Sequence, residues 1–424
     1  VANGKVLEVS IDALAFGGDG VGRLSDGKAV FVPGTAPGDV ARVTLVEDKP
    51  RVAFARLEAL VTAAPERVTP RCPLADRCGG CTWQHLPVDL QRAWKHRLVA
   101  REVARRALGV DEVVAPVVGG AAFGHRTRTR LHLQDGVLGT LPRRSHRVLA
   151  LQVCPILHPS LEAFALQLFE AVRDGRTGDA DVELYVDAEG RRGLLVEPRE
   201  RAASERQGRA VVEAWERLSG SLGVHSLRVK GAVSQGEPAT TALGEVSLGR
   251  PLAFEPGVFV QTTREGNALL VGEALKLAGE GGTFAEVYAG VGNFTVHLAE
   301  RFARGSAAEG NPASVAWLRR NLGGRASVTA HAEGDAATAR RLGRLPPADL
   351  LLADPPHAGM KPLLPLFQAA APRRVLLVSC HPMAALRDLE GLVRAGYRLT
   401  RLVPVDLFPQ TDHLELVAAL EPAP

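Results

Sequence analysis

Three short apolar runs in the C-terminal half each end in residues that carry chemistry. Residues 284–288 feed Ala289, Gly290, Val291, Gly292 and Asn293; residues 350–353 feed Asp354, Pro355 and Pro356; residues 375–379 feed Cys380, His381 and Pro382. Runs this short and apolar read as buried strands. Helix-length stretches, among them 294–304 and 313–322, separate them. Strands and helices alternating in this way predict a doubly wound parallel sheet, and such sheets hold their ligands beyond the carboxyl ends of the strands. A glycine turn, an acid and a thiol are therefore expected along one edge.

The remaining sequence calls for more than this one domain. A chain of 424 residues exceeds a single ordinary core, and its 46% hydrophobic content suffices for two or three. No apolar run approaches the roughly 18 residues of a membrane span, and the first residues lack the charged and apolar regions of a signal peptide. A cytoplasmic protein without membrane contact is expected, and a monomer.

Residues 1–60 alternate in the manner of β-strands, for example over 6–11 and 29–32, with glycines between them, which suits a small OB-type barrel. The stretch RCPLADRCGGC follows. Cys72, Cys78 and Cys81, joined by the distant Cys154, make a four-thiolate set and leave Cys380 as a spare thiol. An odd cysteine count argues for metal ligation over disulfides, and spacing by itself admits zinc or an iron–sulfur cluster. A long helix is predicted from residue 84 to about 108, extending at most to 115. Residues 123–148 then carry Arg126, Arg128, Arg130, Arg143, Arg144 and Arg147 against one acid, Asp135. In a strand the first three share a face, and such a row suits phosphate contact. Residues 161–252 read as mixed α/β structure without a recognisable site.

Glu309 stands about 20 residues beyond the glycine turn, where an acid can hold ribose hydroxyls. The residue three after Gly292 is Thr295, so the full dinucleotide fingerprint is absent. S-adenosylmethionine, which has no pyrophosphate, fits better than a nicotinamide cofactor. Cys380 reads as a nucleophile, and Glu415, opening the last strand, as a carboxylate placed for proton abstraction.

Taken together, these residues resemble the RumA/TrmA family of RNA uridine-C5 methyltransferases nearly end to end. FVQTT is similar to F-x-Q-x-N, YAGVGNF to the family's glycine loop, DPPHAG to D-P-P-R-x-G, SCHP to S-C-N-P and TDHLE to T-x-H-x-E. Thr263, His357 and Asp412 depart from the usual Asn, Arg and Gly.

The resemblance implies three parts: an N-terminal TRAM β-barrel over 1–60, an α/β central domain with an iron–sulfur site and an RNA-contacting face over 61–255, and a Rossmann-like methyltransferase domain over 256–424. It implies that Cys72, Cys78, Cys81 and Cys154 hold a [4Fe-4S] cluster, and that the 84–115 helix packs on the catalytic domain. It further implies that Gln261, Tyr288, Gly290, Asn293, Glu309, Asp335 and Asp354 serve S-adenosylmethionine or the base, with Glu333 competing with Asp335 for the adenosine. Cys380 is then the nucleophile and Glu415 the base. The expected activity is 5-methyluridine formation in 23S rRNA; tRNA methylation and a noncatalytic RNA-binding iron–sulfur protein are the alternatives.

Overall fold

The computed structural model describes residues 4–109, 114–143, 145–200, 204–231 and 241–424. They form two compact units. The first comprises Val1–Leu98, Leu141–Arg147 and Phe408–His413; the second comprises Val99–Thr140, Val148–Leu407 and Leu414–Pro424.

In the first unit β1 (Val6–Leu14), β2 (Gly20–Arg23), β3 (Ala29–Val32), β4 (Val40–Asp48) and β5 (Val52–Thr62) close into a barrel ordered β1-β2-β3-β5-β4. Alternate residues turn inward, so Val9, Ile11, Val30, Val32, Val43, Ala53 and Ala55 make its core. Helix α1 (Val88–Arg105) is shorter than its sequence pattern suggests. Pro87, which lacks an N–H, precedes it, and Ala107 ends it in the left-handed region at φ 53°. Trp83 is fully buried and donates its Nε1–H to the Gly18 carbonyl at 3.0 Å. The Gln91 amide donates to the Trp83 and Leu86 carbonyls and accepts the Gln410 N–H at 2.8 Å. Asp412 accepts from the Gly17 N–H at 2.8 Å and the Thr82 hydroxyl at 3.1 Å, a concrete use for an acid at this departure from the family pattern.

The second unit begins with β6 (Val118–Gly119), β7 (Arg128–Gln134), β8 (Val137–Thr140), β9 (Leu149–Ala150), α2 (Pro159–Ala171), β10 (Ala180–Val186), β11 (Arg192–Pro198), α3 (Glu205–Ser221) and β12 (Val224–Val229). Strands β7 to β12 form a six-stranded sheet ordered β12-β11-β10-β7-β8-β9. One face carries Leu131, Leu133, Val182, Leu184, Leu194 and Val196 against Phe164 and Leu168 of α2 and Trp215 of α3. On β7, Arg128 pairs with Glu183 at 2.7 Å, Arg130 with Asp181 at 3.3 Å and with Glu197, and His132 with Asp181 at 2.9 Å. The sequence count of six arginines against one acid stands within 123–148, where Arg144 lies outside the described residues, but two of the six meet acids from elsewhere in the chain. The acids that answer Arg128 and Arg130 arrive from β10 and β11, about 50 to 70 residues downstream, and a window of local sequence cannot see them.

After the hairpin of β13 (Leu243–Ser247) and β14 (Arg250–Phe254), the chain builds an eight-stranded sheet. Its elements are α4 (Arg264–Ala278), β15 (Gly281–Val287), α5 (Thr295–Arg301), β16 (Phe302–Glu309), α6 (Pro312–Asn321), β17 (Val328–Ala332), α7 (Asp335–Leu342), β18 (Leu350–Ala353), α8 (Leu364–Ala370), β19 (Val375–Ser379), α9 (Pro382–Arg394), β20 (Tyr397–Asp406) and β21 (Glu415–Pro422). The sheet order is β17-β16-β15-β18-β19-β21-β20-β6. Strands β15 to β19 are mutually parallel, while β21 lies antiparallel to β19 and β20. The order reverses between β15 and β18, which opens a crevice at their carboxyl ends. The three apolar runs are β15, β18 and β19, as expected; β16 starts at Phe302, where a helical stretch reaching 304 was predicted. Phe302 meets Phe284 edge-on at 5.7 Å, and that packing across β15 draws it into the sheet.

Candidate active site

Register decides which side chains meet. β15 pairs Val287 with Ala353 of β18, and β18 pairs Ala353 with Leu377 of β19, so Tyr288 and Asp354 leave the sheet at neighbouring ends. Ser379 pairs with Leu416 of antiparallel β21, so the next residues outward, Cys380 and Glu415, emerge on adjacent strands. All four line one cavity of about 580 Å³, as do Gln261, Gly290, Asn293 and Glu309. That size suits a small-molecule cofactor. Asp335 is not among the lining residues. It opens α7 beside the Tyr288 phenol, whose ionisation is opposed first by burial and then by the Asp335 charge. Glu333 instead pairs with Arg341 at 2.7 Å.

The turn after β15 takes backbone conformations most residues avoid. Tyr288, Gly290 and Gly292 all have positive φ, at 61°, 57° and 98°. A Cβ on Gly292 would lie 2.8 Å from the Leu318 side chain, so only glycine serves there. Tyr288 carries a side chain in this region, a strain that recurs at ligand sites. Glu309 secures the turn: its Oε2 accepts the Gly290 N–H at 2.9 Å and its Oε1 the Asn311 N–H at 2.7 Å.

The pocket is acidic and poorly solvated. Burial, then the Glu415 and Asp354 charges, pushes the Cys380 thiol up to about 12. Burial followed by Asp354 raises Glu415, 3% exposed, well above the carboxylate range. Burial raises Asp354 from 3.8 to about 7. Beneath the turn, burial raises Glu286 to about 8, although it accepts the Thr295 hydroxyl at 2.6 Å. These groups cannot all carry charge together.

The sign of the stability effect follows. A carboxyl whose folded pKa is raised stabilises the protein while protonated. Asp354 therefore contributes most below pH 3.8, and that contribution is lost as the pH climbs to about 7. We expect the melting temperature to fall between about pH 4 and about pH 7, and Asp354→Asn to flatten that slope by a few degrees. Identical slopes in variant and wild type would show that Asp354 ionises in the fold without cost.

Three features lay outside the sequence reading. Phe259, 60% exposed, lines the pocket with its ring 5.5 Å from the Arg128 guanidinium; it stands in the FVQTT segment, so that motif could have flagged it. Asn267, on α4, pairs with Asn293, and no pattern in the chain announced this. His357 and His381 bring their rings to 4.1 Å, and His381 accepts the Ala384 N–H through Nδ1 at 3.0 Å, capping α9.

The expected cluster ligands divide between the units. Cys72, Cys78 and Cys81 stand on a loop of the first, and Cys154 belongs to the second. All are partly buried and outside disulfides. Sulfurs of Cys72 and Cys78 accept the Leu74 and Gly80 N–H groups, each at 3.4 Å, as thiolate ligands commonly do. Burial raises the Cys72 thiol, to which the nearby Cys78 adds. Among the described residues, however, no three His, Cys, Asp or Glu side chains gather as a metal ion would require. No described helix is long and apolar enough to cross a membrane.

Comparison with known proteins supplies the family. The TRAM domain model matches residues 1–57, the barrel described above. A 23S rRNA (uracil(1939)-C(5))-methyltransferase RlmD of Edwardsiella ictaluri is 35% identical over 442 residues, spanning 100% of this chain and 97% of that protein. Its namesake from Klebsiella pneumoniae (strain 342) is 36% identical over 443 residues, with 99% and 97% covered. Among solved structures, the Pyrococcus abyssi tRNA (uracil-54, C5)-methyltransferase in complex with S-adenosyl-L-homocysteine superposes with a TM-score of 0.74 at 24% identity, covering 97% of this chain and 99% of that one, and so shares the fold. On relatives of this identity, matched over essentially their whole length, the chain belongs to the RlmD family of RNA (uracil-C5)-methyltransferases.

Proposed function

We propose that this protein methylates C5 of a uridine in 23S rRNA, using S-adenosylmethionine. The observation that carries the reading is the meeting of Cys380 and Glu415 at one end of a pocket whose other wall is a strained glycine turn. S-adenosylmethionine, when bound, supplies an electrophilic methyl group. The residues available to it fit: Gln261, Tyr288, Gly290, Asn293 and Glu309 line the cavity, and Asp335 supports Tyr288 from behind.

The chemistry required of the chain follows from uracil. C5 is too weak a nucleophile by itself, so Cys380, once its thiol proton has passed to the Asp354 carboxylate in the same pocket, adds to C6 and moves electron density through C5 to the carbonyl oxygen. Once C5 carries its methyl group, Glu415 accepts the C5 proton, the C5–C6 double bond re-forms and the C6–S bond breaks. Glu415 must stand as a carboxylate to accept that proton, and once it has done so its raised pKa keeps the proton in place. Asp354, raised to about 7, presents either a donor or an acceptor to the uracil edge. Phe259 offers an exposed aromatic face to a base drawn out of the RNA stack, which repays part of the few kcal/mol that unstacking costs.

The division into 1–60, 61–255 and 256–424 then assigns RNA capture to the first two parts and methyl transfer to the third. Cys72, Cys78, Cys81 and Cys154 would hold a [4Fe-4S] cluster, whose place in this scheme is to shape the loops that meet RNA. Protein purified without oxygen should be brown, and Cys78→Ser should bleach it; colourless wild-type protein containing one zinc would refute the cluster. For the reaction itself, transfer of a labelled methyl group to unmodified 23S rRNA and tRNA transcripts is the test. We expect label in 5-methyluridine of the 23S transcript. Label confined to tRNA would overturn the substrate, and none in either RNA would overturn the reaction.

A further inference from the structure

Two walls of the active-site pocket are joined by a pair of asparagines. One wall is the glycine turn after β15, where Ala289 donates its N–H to the Ala308 carbonyl at 3.0 Å and Gly290 donates to Glu309. The other is the strip Phe259–Val260–Gln261, which runs into α4 through Thr263. That strip is fastened separately: the Thr262 carbonyl accepts the Thr127 N–H at 3.0 Å, and the Val260 carbonyl accepts from Arg128 at 2.7 Å. Asn267, 8% exposed, stands four residues beyond the helix cap. Its Nδ2 donates to Asn293 Oδ1 at 2.9 Å and its Oδ1 accepts from Asn293 Nδ2 at 2.8 Å. Both residues line the pocket.

The pairing leaves each amide capacity to spare. A carboxamide has two N–H groups and two lone pairs on oxygen, and a reciprocal pair uses one of each. Asn293 can therefore meet a ligand while still bonded to Asn267. The two bonds thus tie the glycine turn to α4 just beyond its Thr263 cap, where the strip enters the helix. From behind, Asn321 donates to the Val291 and Ala253 carbonyls, so the turn keeps a second brace when the pair is broken.

We propose that Asn267 is a positioning residue that couples the two substrates, linking occupancy of the glycine turn by the methyl donor to the set of the Phe259–Gln261 wall that receives the target nucleotide. This rests on the function proposed above. Coupling between two ligands is reciprocal, so it is measurable from either side.

The test is titration calorimetry with S-adenosylhomocysteine, with and without the 23S rRNA fragment that the wild-type enzyme methylates. Wild-type protein should bind S-adenosylhomocysteine about tenfold more tightly when RNA is present. Asn267→Leu, with the same number of side-chain heavy atoms but without the amide, should bind it about tenfold more weakly and reduce the coupling to less than about twofold. If that variant does not fold, Asn267→Ser, too short to reach Asn293, carries the same expectation. Ala274→Gly destabilises α4 away from the pocket and should leave the coupling intact, which separates positioning from helix stability. Equal coupling in wild type and Asn267→Leu, coupling lost in Ala274→Gly as well, or no coupling in wild type would each overturn the inference. Failure of wild-type protein to bind S-adenosylhomocysteine at all would instead overturn the assignment of the pocket.

Discussion

Cys380→Ala is expected to lower methyl transfer by on the order of 10⁴-fold or more while leaving S-adenosylhomocysteine affinity within about twofold of wild type. Removing the sulfur removes the path that makes C5 nucleophilic, and among the described residues no other thiol lines the pocket. The cost to the fold should be small, about 1 kcal/mol, because the side chain is only partly buried and a single sulfur atom is lost. The variant should also form no RNA adduct that survives denaturing electrophoresis, whereas the wild type should trap one on 5-fluorouridine RNA, from which C5 cannot lose its substituent as a proton. Turnover within tenfold of wild type would remove Cys380 from the reaction.

Glu415→Gln should behave in the opposite way towards the adduct. Without a base the methylated intermediate cannot lose its C5 proton, so the thioether to C6 should accumulate on ordinary RNA while turnover falls by about 10²- to 10⁴-fold. The fold gives this variant an unusual property. Glu415 is 3% exposed, and burial together with Asp354 disfavours its charge, so stability falls as the pH rises toward its raised pKa. Glutamine keeps the shape and removes the charge. The variant should therefore melt at the same temperature as wild type in acid and higher at about pH 8, an outcome a surface carboxylate could not give. A folded variant that turns over slowly yet accumulates no adduct would place the base elsewhere.

Local order left a clear trace in the sequence. The apolar runs that became β15, β18 and β19, the period-two barrel, and the positions of Cys380 and Glu415 all follow from side-chain periodicity and turn chemistry within a few residues. What the sequence obscured was charge and partnership at a distance. Arg128 and Arg130 looked like a free cationic row until β10 and β11 supplied Glu183, Asp181 and Glu197. Likewise, Asn267 and Asn293 are 26 residues apart and form one unit only because α4 packs beside the turn after β15.

By itself, then, the sequence determined which residues stand at strand ends, because hydrophobic period and glycine placement are short-range properties of the chain. Only the tertiary structure decided how those ends are shared. The antiparallel return of β21 beside β19 sets Glu415 next to Cys380. Burial in that common pocket is what raises the thiol and both carboxyls together, since desolvation depends on everything packed around a group and not on its neighbours in the chain.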